Sequence, residues 1–177
     1  MSLVDVPKDY EPRVNPDRYQ KPLVGDAVAE IDSIDEVEVK KGQSAGQRKT
    51  ILKATVINND PSKGREGSTI EPGDEVLRWY SNDREKDMKK LLDDLFTAGI
   101  AVDRTSEETV KESFDAAKGQ KIYVRCWMAD KMKLEEDPNT GESEWVKVPG
   151  AERSVQKVAI KSKALIKPEY EVAQLPF

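Results

Sequence analysis

The sequence predicts a mainly β domain with helices: a five-stranded β-barrel, a helical segment between strands three and four, and a hairpin extension between strands four and five. Three observations predict it. Apolar residues fall at every second position in segments before residue 81 and after residue 120. Between 83 and 117 they recur at helical spacing instead. The turn signal Asp137-Pro-Asn-Thr-Gly141 then divides the late β region.

Residues 1–22 carry Pro7, Pro12, Pro16 and Pro22, and each proline removes a backbone donor and restricts its predecessor, so this stretch reads as an extended arm ahead of a domain over 23–167. From Asp26 to Lys40, Ala27, Ala29, Ile31, Ser33, Val37 and Val39 alternate with Asp26, Glu30, Asp32, Glu36 and Glu38, a strand with an acidic outer face. A second strand, Lys49 to Asn59, sets Leu52, Ala54 and Val56 on one face against Ile51, Lys53, Thr55 and Ile57. A third lies at Val76 to Tyr80, with Leu77 and Trp79 inward and Arg78 and Tyr80 outward. Met88, Leu91, Leu92, Leu95 and Phe96 then form a helical stripe closed by Gly99. Thr105-Ser-Glu-Glu108 reads as a capping box opening a second helix, with Val110, Phe114 and Ala117 on its stripe and Gly119 at its end. The fourth strand places Ile122, Val124, Cys126 and Met128 inward, and Lys121, Tyr123, Arg125, Trp127, Lys131 and Lys133 outward. After the hairpin, in which Trp145 is read as pinning the loop to the barrel, the last strand runs from Ser154 to Lys167. It turns Val158, Ile160, Ala164 and Ile166 inward and Lys157, Lys161 and Lys163 outward. Five strands with a helix between the third and fourth are the OB-fold arrangement, set against a generic α+β sheet with helices on one face.

Composition narrows the chemistry. The chain of 177 residues is 36% charged and 37% hydrophobic, which fits one domain with a modest core. No segment has the roughly 20 apolar residues of a membrane helix, and the N-terminus lacks a signal-peptide layout, so a cytoplasmic protein is expected, in the host cytoplasm if phage-encoded. There is no histidine, which removes the commonest general base and metal ligand, and Cys126 is the only cysteine. No cofactor, metal or catalytic group is expected. The net charge of -5 is unevenly spread: residues 118–167 hold eleven Lys/Arg against seven Asp/Glu, while residues 1–117 hold eighteen against twenty-five. A basic face on an acidic protein follows.

That face is expected on the outward stripe of Tyr123, Arg125 and Trp127 with Lys121, Lys131, Lys157, Lys161 and Lys163. Bases stack on aromatic rings for about 1–3 kcal/mol each and adjacent cations neutralise phosphates, so aromatic-basic alternation suits single-stranded nucleic acid. The bland reading of the same stripe is aromatics packed under helices and lysines solvating an edge strand. Arg48, Lys49 and Lys53, with Arg78 and Tyr80, are further candidates, and Lys63 and Arg65 could reach a backbone from a loop. Gly42-Gln-Ser-Ala-Gly-Gln-Arg-Lys49-Thr50 lacks the spacing of a phosphate loop and precedes a strand. Asp26 with Glu38-Val39-Lys40 would suit a Mg²⁺-dependent nuclease, but the two carboxylates lie a dozen residues apart on one strand.

With its element order over 24–167, the strand Lys121-Ile-Tyr-Val-Arg-Cys-Trp-Met128 and the end Leu175-Pro176-Phe177, the chain resembles phage-type single-stranded-DNA-binding proteins of OB fold. The resemblance implies coating of exposed single strands during phage replication or recombination. Tyr123 and Trp127 would stack bases, and Arg125, Lys131, Lys157, Lys161 and Lys163 would contact phosphates. The tail over 168–177 is similar to the hydrophobic-Pro-Phe tip through which bacterial single-stranded-DNA-binding proteins recruit replication and repair partners, although only Glu169 and Glu171 supply acid here. The competing class is an interaction or structural module that uses the same barrel without nucleic acid.

Overall fold

The computed structural model describes residues 3–5, 7–9, 21–43, 45–59, 68–130, 132–147, 154–171 and 173. Among them the chain forms β1 (Gly25–Glu38), β2 (Arg48–Asn59), β3 (Glu75–Ser81), α1 (Glu85–Thr97), α2 (Glu107–Ala116), β4 (Lys121–Asp130), β5 (Met132–Glu136), β6 (Ser143–Lys147) and β7 (Ser154–Lys161). Five strands make one antiparallel sheet in the order β3-β2-β1-β4-β7, and β5 pairs with β6 in a separate hairpin. The mainly β class and the block of helices between the third and fourth strands match the sequence expectation.

The long β1 is central because it pairs with β2 along most of its length and with β4 through its first residues, Gly25 to Glu30. Register shifts at Val28/Ala29 and at Ile31/Ser33 change its phase. The alternation predicted from Ala27 through Val39 therefore breaks at Ile34, which is buried where Ser33 was expected; Asp26 keeps the outer phase but is buried there against Tyr123 and Arg125. A bulge adds one residue to one strand of a pair, and with a side-chain period of two everything beyond it swaps faces. On β2 the period holds, with Leu52, Ala54 and Val56 buried.

On β3 the predicted phase is reversed: Val76 and Tyr80 are buried and Trp79 is 51% exposed. Arg78 points inward because the interior supplies its partners. Its Nε donates to Asp94 Oδ2 of α1 and to Tyr80 Oη, both at 2.9 Å, and Tyr80 Oη donates to the same Asp94 oxygen at 2.6 Å. β3 and β7 are the two edges of the sheet and do not pair among the described residues. Arg78 spans the gap, its Nη1 donating to the Val158 carbonyl of β7.

The inner face packs against the helices. Ile31, Leu52, Val56, Ile122 and Val124 meet Leu91, Leu95, Ala98 and Ile100, with Phe114 of α2 partly buried against them. Gly99 closes α1 at φ 75°, a conformation that favours glycine. α2 opens one residue later than predicted: Ser106 accepts from the Thr109 amide at 3.1 Å, and Thr109 Oγ1 accepts from the Ser106 amide at 2.9 Å. The capping box is present with Thr109, not Glu108, as its second member.

β7 ends at Lys161, not Lys167. Ser162 caps a 3-10 turn, Lys163–Leu165, and a second one follows at Pro168–Tyr170. This segment lies on the outer face of the sheet, where Tyr170, Leu165 and Ile166 cover Val28, Ile57 and Tyr123. Ile166 thus packs on the face opposite to the one predicted.

Candidate nucleic-acid interface

The outer face of β4 and β7 is set by their register, which places Trp127 opposite Lys157, Arg125 opposite Ala159 and Tyr123 opposite Lys161. Directly opposite residues have Cβ atoms about 4.5–5.5 Å apart, so the Trp127 ring and the Lys157 stem are neighbours. Trp127 is 38% exposed. Lys121, Lys157 and Lys161 share this side, and none forms an ion pair with a described residue. Lys163, predicted with them, lies beyond β7 in the 3-10 turn, its side chain against Gly99 at the end of α1. The predicted stripe is therefore present in its tryptophan and in three of its lysines.

Tyr123 departs from the expectation. It lies on the outward phase of β4 but is wholly buried beneath Tyr170, and its hydroxyl donates to Asp26 Oδ2 at 2.9 Å. A ring sandwiched in an apolar cluster presents no face to a base. Arg125 is half committed: its Nε and Nη2 donate to the two Asp26 oxygens, each at 2.9 Å. That bidentate pair fixes the guanidinium on the sheet surface while three of its five N–H donors remain for another acceptor. The Asp26 hydrogen bond outweighs burial and raises the Arg125 pKa above its ordinary value.

The residues predicted on β2 and β3 divide differently. Arg78 and Tyr80, expected outward, belong to the interior with Asp94. Burial first, then the hydrogen bond to Asp94, pushes the Tyr80 hydroxyl above its ordinary range. Burial opposes the Arg78 charge, and Tyr80 and Asp94 together overcome it, so its pKa is raised. Arg48 pairs with Glu36 at 2.5 Å and Lys53 with Glu75 at 3.8 Å. Lys49 lies over the Trp79 ring, 5.8 Å from its centroid, within cation–π range. Trp79 is the residue sequence reasoning missed. Its signal was available in β2: once Lys49, Ile51 and Lys53 are outward, antiparallel pairing carries Leu77 and Trp79 outward with them.

Lys131, Leu175, Pro176 and Phe177, with Lys63 and Arg65, lie outside the described residues. Trp145, read as a pin, is instead 65% exposed and sits opposite Leu134 on the hairpin. Asp26 is held by Arg125 and Tyr123, while Glu38 ends β1 twelve residues away, about 40 Å along an extended strand. The two carboxylates are not brought together. Among the described residues no group of three acidic or thiol side chains is placed to hold a metal ion. Cys126 is buried, and burial pushes its thiol up to about 12.

No helix among the described residues is long and apolar enough to cross a membrane. No protein-family model matches this sequence, and a search of curated proteins finds no relative.

Proposed function

We propose that this chain binds single-stranded DNA with little sequence preference on the outer face of β4 and β7, coating strands exposed in phage replication or recombination. The carrying observation is the Trp127–Lys157 cross-strand pair in a row of lysines that no described carboxylate neutralises. A half-exposed indole offers a stacking surface indifferent to base identity, and Lys121, Lys157, Lys161 and the free edge of Arg125 offer phosphate contacts. Strand order supports an OB-type barrel, left open between its third and fifth strands with Arg78 bridging the seam. In this reading the Leu175-Pro176-Phe177 end is a site for replication or recombination partners.

The test is tryptophan fluorescence titrated with oligothymidine and with duplex of equal length. Quenching by the single strand that weakens with salt is expected, and Trp127→Ala should cost about 1–3 kcal/mol, roughly 5- to 150-fold in Kd. No response at low salt, or heparin bound as tightly as the oligonucleotide, would favour the interaction-module reading. A second surface has its own observation in favour: Trp79 with Lys49 stands beside a recess lined by Val37, Lys41 and Gln43, on the strand pair OB folds commonly use. Binding lost in Trp79→Ala and kept in Trp127→Ala would move the site there.

A further inference from the structure

α2 buries none of its residues fully, so its apolar stripe is only half covered by the core. Val110 and Phe114 of that stripe, Met88, Leu92 and Leu95 of α1, and Val102 between the two helices line one recess of about 300 Å³. Of these only Leu95 is buried, and the others stand partly in solvent. Sites for small molecules are recesses of this kind, apolar with a few placed polar groups, and this one lies at the lower end of their size range.

Two donors in the recess lack acceptors. Thr50, buried on β2, donates from its hydroxyl to Asn82 Oδ1 at 2.8 Å. The carboxamide is thereby oriented, and its Nδ2 has no acceptor among the described residues. Arg104, in the link between α1 and α2, has no carboxylate within ion-pairing distance among them. The other charged groups of the recess are already paired, Glu36 with Arg48 at 2.5 Å and Glu85 with Lys89 at 2.8 Å. One positive charge and one amide donor are therefore left beside an apolar lining. An occupant that satisfies them is apolar along its length and ends in a single anion. A planar carboxylate has acceptor sites for a guanidinium and an amide together. A phosphate with two charges would instead meet Glu36 and Glu85 in the same recess, and juxtaposed like charges are costly.

We infer that this recess binds a small aliphatic monocarboxylate, its chain against Met88, Leu92, Val110 and Phe114 and its carboxylate accepting from Asn82 Nδ2 and Arg104. Burial of the chain supplies the affinity, about fourfold for each methylene, and the two donors fix the ligand's direction. The site is on the helix side of the sheet, opposite to the outer face proposed for single-stranded DNA, so the two readings are tested independently.

Methionine methyl resonances of the full chain test it, because Met88 lines the recess while Met128 and Met132 lie on β4 and β5. Octanoate titrated at neutral pH, below its micelle concentration, should shift the Met88 methyl saturably and leave those of Met128 and Met132 in place. Hexanoate, two methylenes shorter, should bind roughly 15-fold more weakly, and octylammonium should not compete. Arg104→Gln should raise the octanoate Kd about tenfold. Leu92→Trp should fill the recess and abolish the shift. Arg104 is exposed and Leu92 partly so, and both variants should keep the wild-type circular dichroism spectrum. The inference is overturned if Met88 is unmoved by millimolar octanoate, if Met88 and Met132 move together without saturating, or if octylammonium binds as tightly as octanoate. A Met88 methyl that shifts on protein dilution alone would put a second copy in the recess, and one that shifts with oligothymidine but not with octanoate would put the strand there. Either result overturns it too.

Discussion

Replacing Asp94 by Ala tests the claim that Arg78 closes the seam between β3 and β7. Asp94 is buried on α1, and its Oδ2 accepts from both Arg78 Nε and Tyr80 Oη. Arg78 is only 22% exposed, so removing its carboxylate leaves a largely desolvated guanidinium with the Val158 carbonyl and Tyr80 Oη as partners. Breaking a buried ion pair from one side typically costs about 3–5 kcal/mol, and the exposed part of Arg78 favours the lower end. Against a total of about 5–15 kcal/mol this is a large fraction. With a urea m-value of about 1–3 kcal/mol/M, the unfolding midpoint should fall by about 1–3 M at unchanged m. Tyr80→Phe keeps the Arg78–Asp94 pair and should cost about 1 kcal/mol. Lys90→Ala removes a half-exposed partner 3.3 Å from Asp94 and should cost less than about 0.5 kcal/mol. A midpoint for Asp94→Ala within a few tenths molar of wild type would refute the reasoning, because the network would then be ornamental to closure.

Three further outcomes follow from the same geometry. Tyr170→Ala uncovers Val28, Ile57 and Tyr123 and should destabilise by about 3 kcal/mol, read as a lower Tm; an unchanged Tm would mean that the C-terminal segment does not hold that face. Gly25→Ala should also destabilise, since φ is 127° and a Cβ there would lie 2.4 Å from Ser68 Oγ; urea midpoints equal to wild type would contradict the close approach. Cys126 is held at about 12 when folded against 9.0 as a free thiol, so the folded state binds its proton more tightly. Stability should be intact below pH 9 and fall between pH 9 and 12, by about 1.4 kcal/mol per pH unit for that one proton, and Cys126→Ala should flatten the fall.

The elements were legible where one local rule governed them, and illegible where a distant partner did. β2 reads correctly because Leu52, Ala54 and Val56 alternate without a bulge. The stripe of α1 over Met88, Leu91 and Leu95 and its terminal Gly99 likewise depend only on neighbours, whereas Phe96, predicted with that stripe, is exposed. The phase of β1 beyond Ile31 depends on shifts against β2 that no residue type announces, and so Ser33 was placed inward where Ile34 is the buried residue. The end of β7 depended on Ser162, whose hydroxyl accepts from the Ala164 amide and turns the chain before Lys167. The covering of Tyr123 depended on a segment more than forty residues later, which alternation within β4 has no means of showing.

The errors at Tyr123 and Arg78–Tyr80 share a cause that bears on the surviving candidate. Each site is an Asp, a Tyr and an Arg: Asp26 with Tyr123 and Arg125, and Asp94 with Tyr80 and Arg78. In both, aromatic and cationic residues alternate on a strand just as they would in a nucleic-acid face, yet a carboxylate on another element has drawn them into a structural network. Aromatic-basic alternation is therefore ambiguous in sequence, because an acidic partner far along the chain can take up the cations. What separates Trp127 from these is the lack of such a partner among the described residues: its cross-strand neighbour Lys157 has no carboxylate within ion-pairing distance, and its ring remains partly in solvent. By the same criterion Lys53 and Arg48, which have Glu75 and Glu36, are weaker phosphate contacts than Lys157 and Lys161. Charge reversal at Lys157 should then weaken oligonucleotide binding and flatten its salt slope by about one unit, whereas reversal at Lys53 should leave that slope within error.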